Sequence, residues 1–234
     1  MIAAKPFKLV LDYDGVIFKN PHAMEAVSSS SAKFVSKKLK ISYRGARAVN
    51  ATQYKVHGHT VKYLQHIGVD TTLEEYNEYV FNNIDWGDLS LNIKHDDHEP
   101  IIDVYLLNKL QQHQKCVLFS NAPRLWVDKT LEALGTHTDI LFDEVFSCET
   151  LDQLKPIMKV YEDIERHYPD DDLLFIDDSI LNVRGLGARW KPHLFKSKDN
   201  LYQCGCKMLD DGYVDVTEDI LDTILYPDVD FDFI

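Results

Sequence analysis

The stretch Leu9-Val10-Leu11-Asp12-Tyr13-Asp14-Gly15-Val16 decides how the rest of the chain is read. It begins as an apolar run, from Phe7 to Leu11, of the kind a buried strand needs. It ends in two aspartates one residue apart, then a glycine that permits a sharp turn. A strand that delivers two carboxylates to its carboxyl end places charge where open α/β sheets bind ligands. An ordinary Asp-rich turn is the plain alternative. A calcium loop fails on spacing. With Asp12 as its first position, Val16 and Ala23 stand where an EF-hand needs an oxygen ligand and a glutamate.

Downstream, Val16 to Pro21 reads as a short extended piece. His22 to Leu39 has helical spacing, and the Ser28–Ser31 run within it reads as a solvated face. Arg44 to His66 reads as a helix or pair of helices. Leu73 to Phe81 is a third, with Thr71 or Thr72 as N-cap. Asn82 to Asp97 is polar and turn-rich. A mainly helical block of about eighty residues therefore separates the first strand from the next, too long for a bare loop, and is read as an inserted helical domain. Its bounds are residues 16–98, and the core takes residues 1–15 and 99–234.

Beyond it the pattern alternates. Glu99–Gln112 is an amphipathic helix, and Lys115–Phe119 a strand ending at Ser120-Asn121. Pro123–Leu134 is a helix closed by Gly135, and Phe142–Phe146 a strand. Pro156–His167 is a helix preceded by Leu154-Lys155. Asp172–Ile176 is a strand ending in Asp177-Asp178. Ser179–Leu186 is a short helix, and His193–Phe195 the last strand. Asn200–Ile234 includes a short helix near Thr217–Leu225. Alternation of this kind predicts an α/β fold with a doubly wound parallel sheet.

The 234 residues are 45% hydrophobic and 27% charged, which suits a soluble globular protein. No apolar run is long enough to cross a bilayer, and no charged-then-apolar leader is visible. The formal charge of −13, from 38 acids and 25 bases, repels polyanions and argues against a nucleic-acid polymer as partner. Cys116 reads as a small buried hydrophobe, and Cys204-Gly-Cys206 is too closely spaced for half a zinc site. A reducing, cytoplasmic setting is expected, with the chain a monomer or homodimer.

Three strand ends thus carry Asp12 and Asp14, Ser120 and Asn121, and Asp177 and Asp178, with Lys155 at a helix start between them. Like charges a few ångströms apart repel by on the order of 4 kcal/mol per pair at a partly buried site. A divalent cation relieves this, and an oxygen-only set without histidine favours Mg²⁺, which takes one or two carboxylates plus a substrate phosphate. Lys155, the Ser120 hydroxyl and helix-start amides would hold the remaining phosphoryl oxygens of a small phosphorylated metabolite. Asp12 is left facing phosphorus as a carboxylate nucleophile. Asp14, pointing the same way, would protonate the leaving oxygen and later activate water. Ser120 and Asn121 also suit capping of the following helix.

Together Asp12-Tyr13-Asp14-Gly15, Phe119-Ser120-Asn121-Ala122, Leu154-Lys155-Pro156 and Ile176-Asp177-Asp178-Ser179 resemble the four motifs of the haloacid dehalogenase (HAD) superfamily of phosphohydrolases, in order. The resemblance implies Asp12 as nucleophile and Asp14 as general acid/base, the mark of the phosphatase branch. It implies Ser120, Asn121 and Lys155 at phosphate, and Asp178 with Asp177 completing a Mg²⁺ site, to which Asp14 adds its backbone carbonyl. The helical insert resembles a C1-type cap. Within it, Tyr54-Lys55-Val56-His57-Gly58-His59-Thr60 is similar to the Tyr-Gly-Thr region of the pyrimidine 5′-nucleotidase subgroup, with His57 where that subgroup has tyrosine. Tyr54, His57 and Thr60 are the implied substrate contacts, and a nucleoside 5′-monophosphate the implied substrate. Sugar phosphates, a mutase reaction, or an idle fold that binds a partner through its acidic C-terminal segment stay open. Trp86, Trp126 and Trp190 read as packing residues, and His95-Asp96-Asp97-His98 as a solvated hinge.

Overall fold

The structure, a computed structural model, describes residues 7–87, 89, 116–195 and, for backbone only, 214–216. The helix expected over Glu99–Gln112, the His95–His98 hinge, Cys204, Cys206 and, apart from Val214–Val216, the Asn200–Ile234 segment lie outside the described residues.

The strands are β1 (Phe7–Leu11), β2 (Cys116–Phe119), β3 (Phe142–Phe146), β4 (Asp172–Asp177), β5 (Trp190–Phe195) and β6 (Val214–Val216). They form a parallel sheet in the order β3-β2-β1-β4-β5-β6. The chain order therefore reverses between β1 and β4. In a doubly wound sheet that switch point is where the crevice opens beyond the carboxyl ends of the strands. β1 and β4 run in register from Phe7↔Asp172 to Leu11↔Ile176, and the Asp12 amide adds one more bond to Ile176 O at 2.9 Å. Two aspartate-bearing strand ends are thereby brought side by side.

Alternation along the strands gives the sheet two apolar faces. Leu9, Leu11, Cys116, Leu118 and Ile176 pack with Trp126, Val127 and Leu131 of α5 (Arg124–Ala133). Val10, Val117, Phe119, Leu173 and Phe175 pack with Val160, Tyr161 and Ile164 of α7 (Met158–His167). Strands apolar on both sides are those of a sheet covered on both faces. Cys116 is fully buried, and burial pushes its thiol up to about 12. Two short helices, α6 (Thr138–Leu141) and α8 (Ile180–Val183), also belong to this part.

Between β1 and β2 lie α1 (Pro21–Leu39), α2 (Tyr43–His57), α3 (Thr60–His66) and α4 (Leu73–Asn82). Their ends follow local chemistry. Asn20 caps α1 by accepting from the Ala23 amide at 2.7 Å, with proline at the first helical position. Thr72 caps α4 by accepting from the Glu75 amide. Gly58, at φ +70°, stops α2, and of the helix or pair of helices expected over Arg44–His66 the structure has the pair, divided there. Polar contacts tie this helical segment to the sheet side: Lys62 Nζ donates to Asp152 O at 3.0 Å and Asn77 Nδ2 to Glu149 Oε1 at 3.1 Å.

Several local expectations change. Val16–Phe18 is a buried turn rather than an extended piece, closed by the Gly15 amide on Phe18 O and the Ile17 and Phe18 amides on Tyr13 O. Ser30 and Ser31 are buried rather than solvated. Their hydroxyls donate to the carbonyls of Val80 and Val27, so α1 tolerates them against its neighbours. Lys155 sits in a loop ahead of α7, not at the helix start. β5 is longer than expected, and β6 extends the sheet beyond it.

Candidate active site

The pleat sets the first motif. Asp12 and Asp14 point one way, while Tyr13 between them is buried on the other side with its hydroxyl 2.5 Å from Thr130 Oγ1 of α5. The turn after Asp14 needs Gly15: its φ is +84°, and a Cβ there would lie 2.1 Å from Asp178 Oδ2. The first and fourth motifs therefore interlock through a missing side chain.

Lys155 is 1% exposed and reaches Asp12 Oδ1 at 3.0 Å and Asp177 Oδ2 at 2.6 Å. Its Nζ also lies 4.9 and 5.3 Å from the ring centres of Phe119 and Phe175. Burial opposes its charge, but Asp12 and Asp177 override this and hold the ammonium pKa above its ordinary value. Asp177 is fully buried and held further by the Ser179 amide (2.8 Å) and the Asn182 amide (3.0 Å to each oxygen). It anchors the lysine from beneath and does not line the cavity.

One oxygen from each of Asp12, Asp177 and Asp178 can lie within 4.8 Å of the others. The electrostatics show what the cluster lacks. Asp12 is raised well above the ordinary carboxylate range, by burial first, against the pull of Lys155 and with the push of Asp177, Asp178 and Asp14. Asp178 is pushed up to about 7, by burial and then by Asp177. Asp14 is pushed up to about 6 by burial. Four acids share one lysine, and all three shifts mark ionised forms short of positive charge. An all-oxygen, anionic donor set of this kind fits a hard dication such as Mg²⁺.

Ser120, 2% exposed, follows β2 and accepts from the Ala122 amide at 3.2 Å, which frees its own proton to be donated. Asn121 beside it caps no helix, since the N-cap position of α5 is Pro123. Instead Oδ1 accepts from the Lys155 amide at 3.0 Å, while Nδ2 donates to Lys155 O at 2.9 Å and Gly58 O at 3.1 Å. Its amide thus clasps the lysine loop to the α2–α3 junction. A Cβ on Gly58 would lie 2.1 Å from Lys155 O, so only glycine permits this approach.

A cavity of about 1100 Å³ opens above these groups. Asp12, Asp14, Ser120, Asn121, Lys155 and Asp178 line its floor, and α1, α2, α3 and α4 supply its roof. Tyr54 and Thr60 line it. Burial, and then Asp14, keep the Tyr54 phenol protonated. His57 does not line the cavity. It packs against Tyr63 and His66 at the end of α2, because the chain turns at Gly58, and His59 takes the inward place.

Trp126, read as a packing residue, has a second role. Its Nε1 donates to Asp14 Oδ1 at 2.9 Å and opposes the upward shift of that acid. Asn182 was equally hidden. The signal for both is position: each lies just past a strand end that already carries site residues.

No protein-family model matches the sequence, and comparison with curated proteins finds no match. Solved structures do match. The HAD-hydrolase YfnB of Bacillus subtilis, bound to magnesium, is 15% identical with a TM-score of 0.55, over 95% of this chain and 99% of its own. CbbY of Rhodobacter sphaeroides in complex with phosphate is 12% identical with a TM-score of 0.55, over 89% and 92%. A mutant of it in complex with xylulose-(1,5)-bisphosphate is 11% identical with a TM-score of 0.51, over 80% and 84%. The HAD phosphatase of Thermococcus onnurineus is 17% identical with a TM-score of 0.50, over 94% and 97%. At such identities the likeness speaks for architecture: this chain carries the fold of the HAD-superfamily hydrolases.

Proposed function

We propose that the protein is a Mg²⁺-dependent phosphomonoesterase of the HAD superfamily that works through an aspartyl-phosphate on Asp12. One observation carries this reading: the buried Asp12 carboxylate lies 3.0 Å from the Lys155 ammonium, in one cluster with Asp177 and Asp178 and at the floor of a large cavity. A binding module has no use for buried acids that repel one another. Two solved structures of like fold, the HAD-hydrolase YfnB bound to magnesium and CbbY in complex with phosphate, support it.

In this reading Asp12, Asp178 and the Asp14 backbone carbonyl would hold the dication, with Asp177 alongside. The dication would offset charge on the phosphoryl oxygens when bound. Lys155 and the Ser120 hydroxyl bind further phosphoryl oxygens. An Asp12 oxygen attacks phosphorus, the ester P–O bond breaks, and Asp14 gives its proton to the departing oxygen. Asp14, now a carboxylate, takes a proton from water. The water oxygen attacks phosphorus, the Asp12–phosphorus bond breaks, and phosphate leaves.

Residues 16–98 act as a C1-type helical cap over the core of residues 1–15 and 99–234, excluding water and choosing the leaving group. The substrate is a nucleoside 5′-monophosphate, supported by the Tyr54–Thr60 resemblance to the pyrimidine 5′-nucleotidase subgroup. A sugar phosphate is the second reading, favoured by the bisphosphate complex of CbbY. The setting we assign is the cytoplasm, in keeping with the free thiols of Cys116 and Cys148. Among the described residues no helix is long and apolar enough to cross a membrane. Hydrolysis of an aryl phosphate with Mg²⁺, and its loss in chelator, tests the reading. No hydrolysis rejects the activity, and equal rates reject the metal.

A further inference from the structure

The roof of the cavity carries a set of hydrogen-bonding groups that hydrolysis itself does not use. Asn50 of α2 is 7% exposed and His59, at the start of α3, is 3% exposed, and both line the cavity. Each has one side already engaged. Thr60 Oγ1 donates to Asn50 Oδ1 at 2.8 Å, which fixes the amide and leaves Nδ2 with both its protons. His59 Nδ1 accepts from the Val61 amide at 3.1 Å, which places the imidazole proton on Nε2. Burial, and then the nearby Lys62 charge, lower the imidazole pKa to about 4, so the ring stays neutral and the tautomer holds. Among the described residues neither Asn50 Nδ2 nor His59 Nε2 has a hydrogen-bond partner.

The remaining groups of the roof sharpen the pattern. Ser31 Oγ donates to Val27 O, so the 2.6 Å contact between Ser31 and Tyr76 has Tyr76 as donor, and the Ser31 oxygen is occupied. Asn50 Oδ1, His59 Nδ1 and Ser31 Oγ each already accept a hydrogen bond from within the protein, so what Asn50 and His59 have left over is donors. The roof thus sets the free donors of Asn50 and His59 beside the hydroxyls of Ser28, Tyr54, Thr60 and Tyr76, which can donate or accept. Along one side stand the aromatic rings of Phe18, Phe81 and Trp126, with the Phe18 and Trp126 centroids 5.5 Å apart. A polyhydroxylated leaving group has no flat face to set against that aromatic wall. A flat ring edged with carbonyl oxygens or unprotonated nitrogens meets both the donors and the aromatic wall.

We propose that Asn50 Nδ2 and His59 Nε2 are specificity-determining donors that recognise the acceptor edge of a planar, heteroaromatic part of the leaving group. This rests on the phosphomonoesterase reading above and deepens it, because it favours ring-bearing phosphate esters over bare sugar phosphates.

The test compares kcat/KM for uridine and cytidine 5′-monophosphates with that for ribose 5-phosphate, which keeps the same scissile ester and lacks the ring. Wild-type protein is expected to prefer the ring-bearing esters by about a hundredfold or more, as a site built to hydrogen-bond a group rejects the analogue without it. Asn50→Asp exchanges the donors for an acceptor at equal size. His59→Asn keeps a side chain able to cap α3 and withdraws Nε2. Each is expected to reduce the preference about tenfold or more. Two substitutions on different helices keep the test open should one fail to fold. Equal kcat/KM for ribose 5-phosphate and the nucleotides, or a preference unchanged or raised in both variants, overturns the assignment while leaving the phosphatase in place. Failure to hydrolyse the nucleotides, ribose 5-phosphate and an aryl phosphate alike overturns the phosphatase reading and this inference with it.

Discussion

Replacing Asp178 by Asn is expected to stabilise the metal-free protein while destroying its activity. The carboxyl is pushed from 3.8 to about 7, by burial and then by Asp177. At about 1.4 kcal/mol for each tenfold change in proton affinity, ionising it in the folded chain is opposed by up to about 4 kcal/mol. The sign follows from linkage. Because the folded pKa lies above the unfolded one, the opposition is absent below the unfolded value of 3.8, grows as pH rises, and is complete above about 7. Asparagine has the same shape, fits beside Gly15, and carries no charge to desolvate. In chelator at about pH 8 the Asp178→Asn protein should therefore melt higher than wild type, by up to about 10 °C for a chain of this length. Near pH 4 the two should melt together. Added Mg²⁺ should raise the wild-type melting temperature at about pH 8, where the cluster is ionised, and raise the variant's far less. Differential scanning fluorimetry across pH, with and without Mg²⁺, reads all of this. A variant no more stable than wild type at alkaline pH, or one that keeps the full Mg²⁺ response, refutes the reasoning.

Other perturbations reach the rest of the site. Gly15→Ala should abolish turnover, because a Cβ 2.1 Å from Asp178 Oδ2 displaces that carboxylate; a steady-state assay and a melt separate lost activity from lost fold. Asn121→Ala unpairs the Lys155 amide, the Lys155 carbonyl and Gly58 O together, and should lower stability by about 2–4 kcal/mol in urea titration. Trp126→Phe removes a hydrogen bond that lowers the pKa of Asp14, so the carboxyl should hold its proton to higher pH than about 6. Turnover should then fall about tenfold, with the pH profile moved upward, because water activation needs Asp14 ionised.

How much of this was legible beforehand depends on how local the cause is. Strands β1 and β4 could be read because a run apolar on both faces has few other uses, and the aspartates at their ends mark the crevice directly. The break between α2 and α3 falls at Gly58, although Arg44–His66 could equally be read as one helix or two. What the pattern concealed are roles fixed by partners distant in the chain. The serines at 30 and 31 look solvated until Val80, Val27 and Tyr76 are packed against them. Asn121 looks like a cap or a phosphate contact until the Lys155 loop and Gly58 arrive beside it. His57 and His59 are indistinguishable by composition, and only the turn at Gly58 decides which one faces the cavity. Trp126 has the signature of any core tryptophan, because its indole N–H finds Asp14 from 112 positions away.

The central claim is that Asp12 takes the phosphoryl group. Protein mixed with a radiolabelled phosphate ester and Mg²⁺, then quenched in acid within the first turnover, should carry the label on the peptide containing Asp12. The bond should be cleaved by hydroxylamine, as an acyl phosphate is, and the Asp12→Asn protein should carry none. Full turnover with no labelled peptide, or with the label on another residue, contradicts the account.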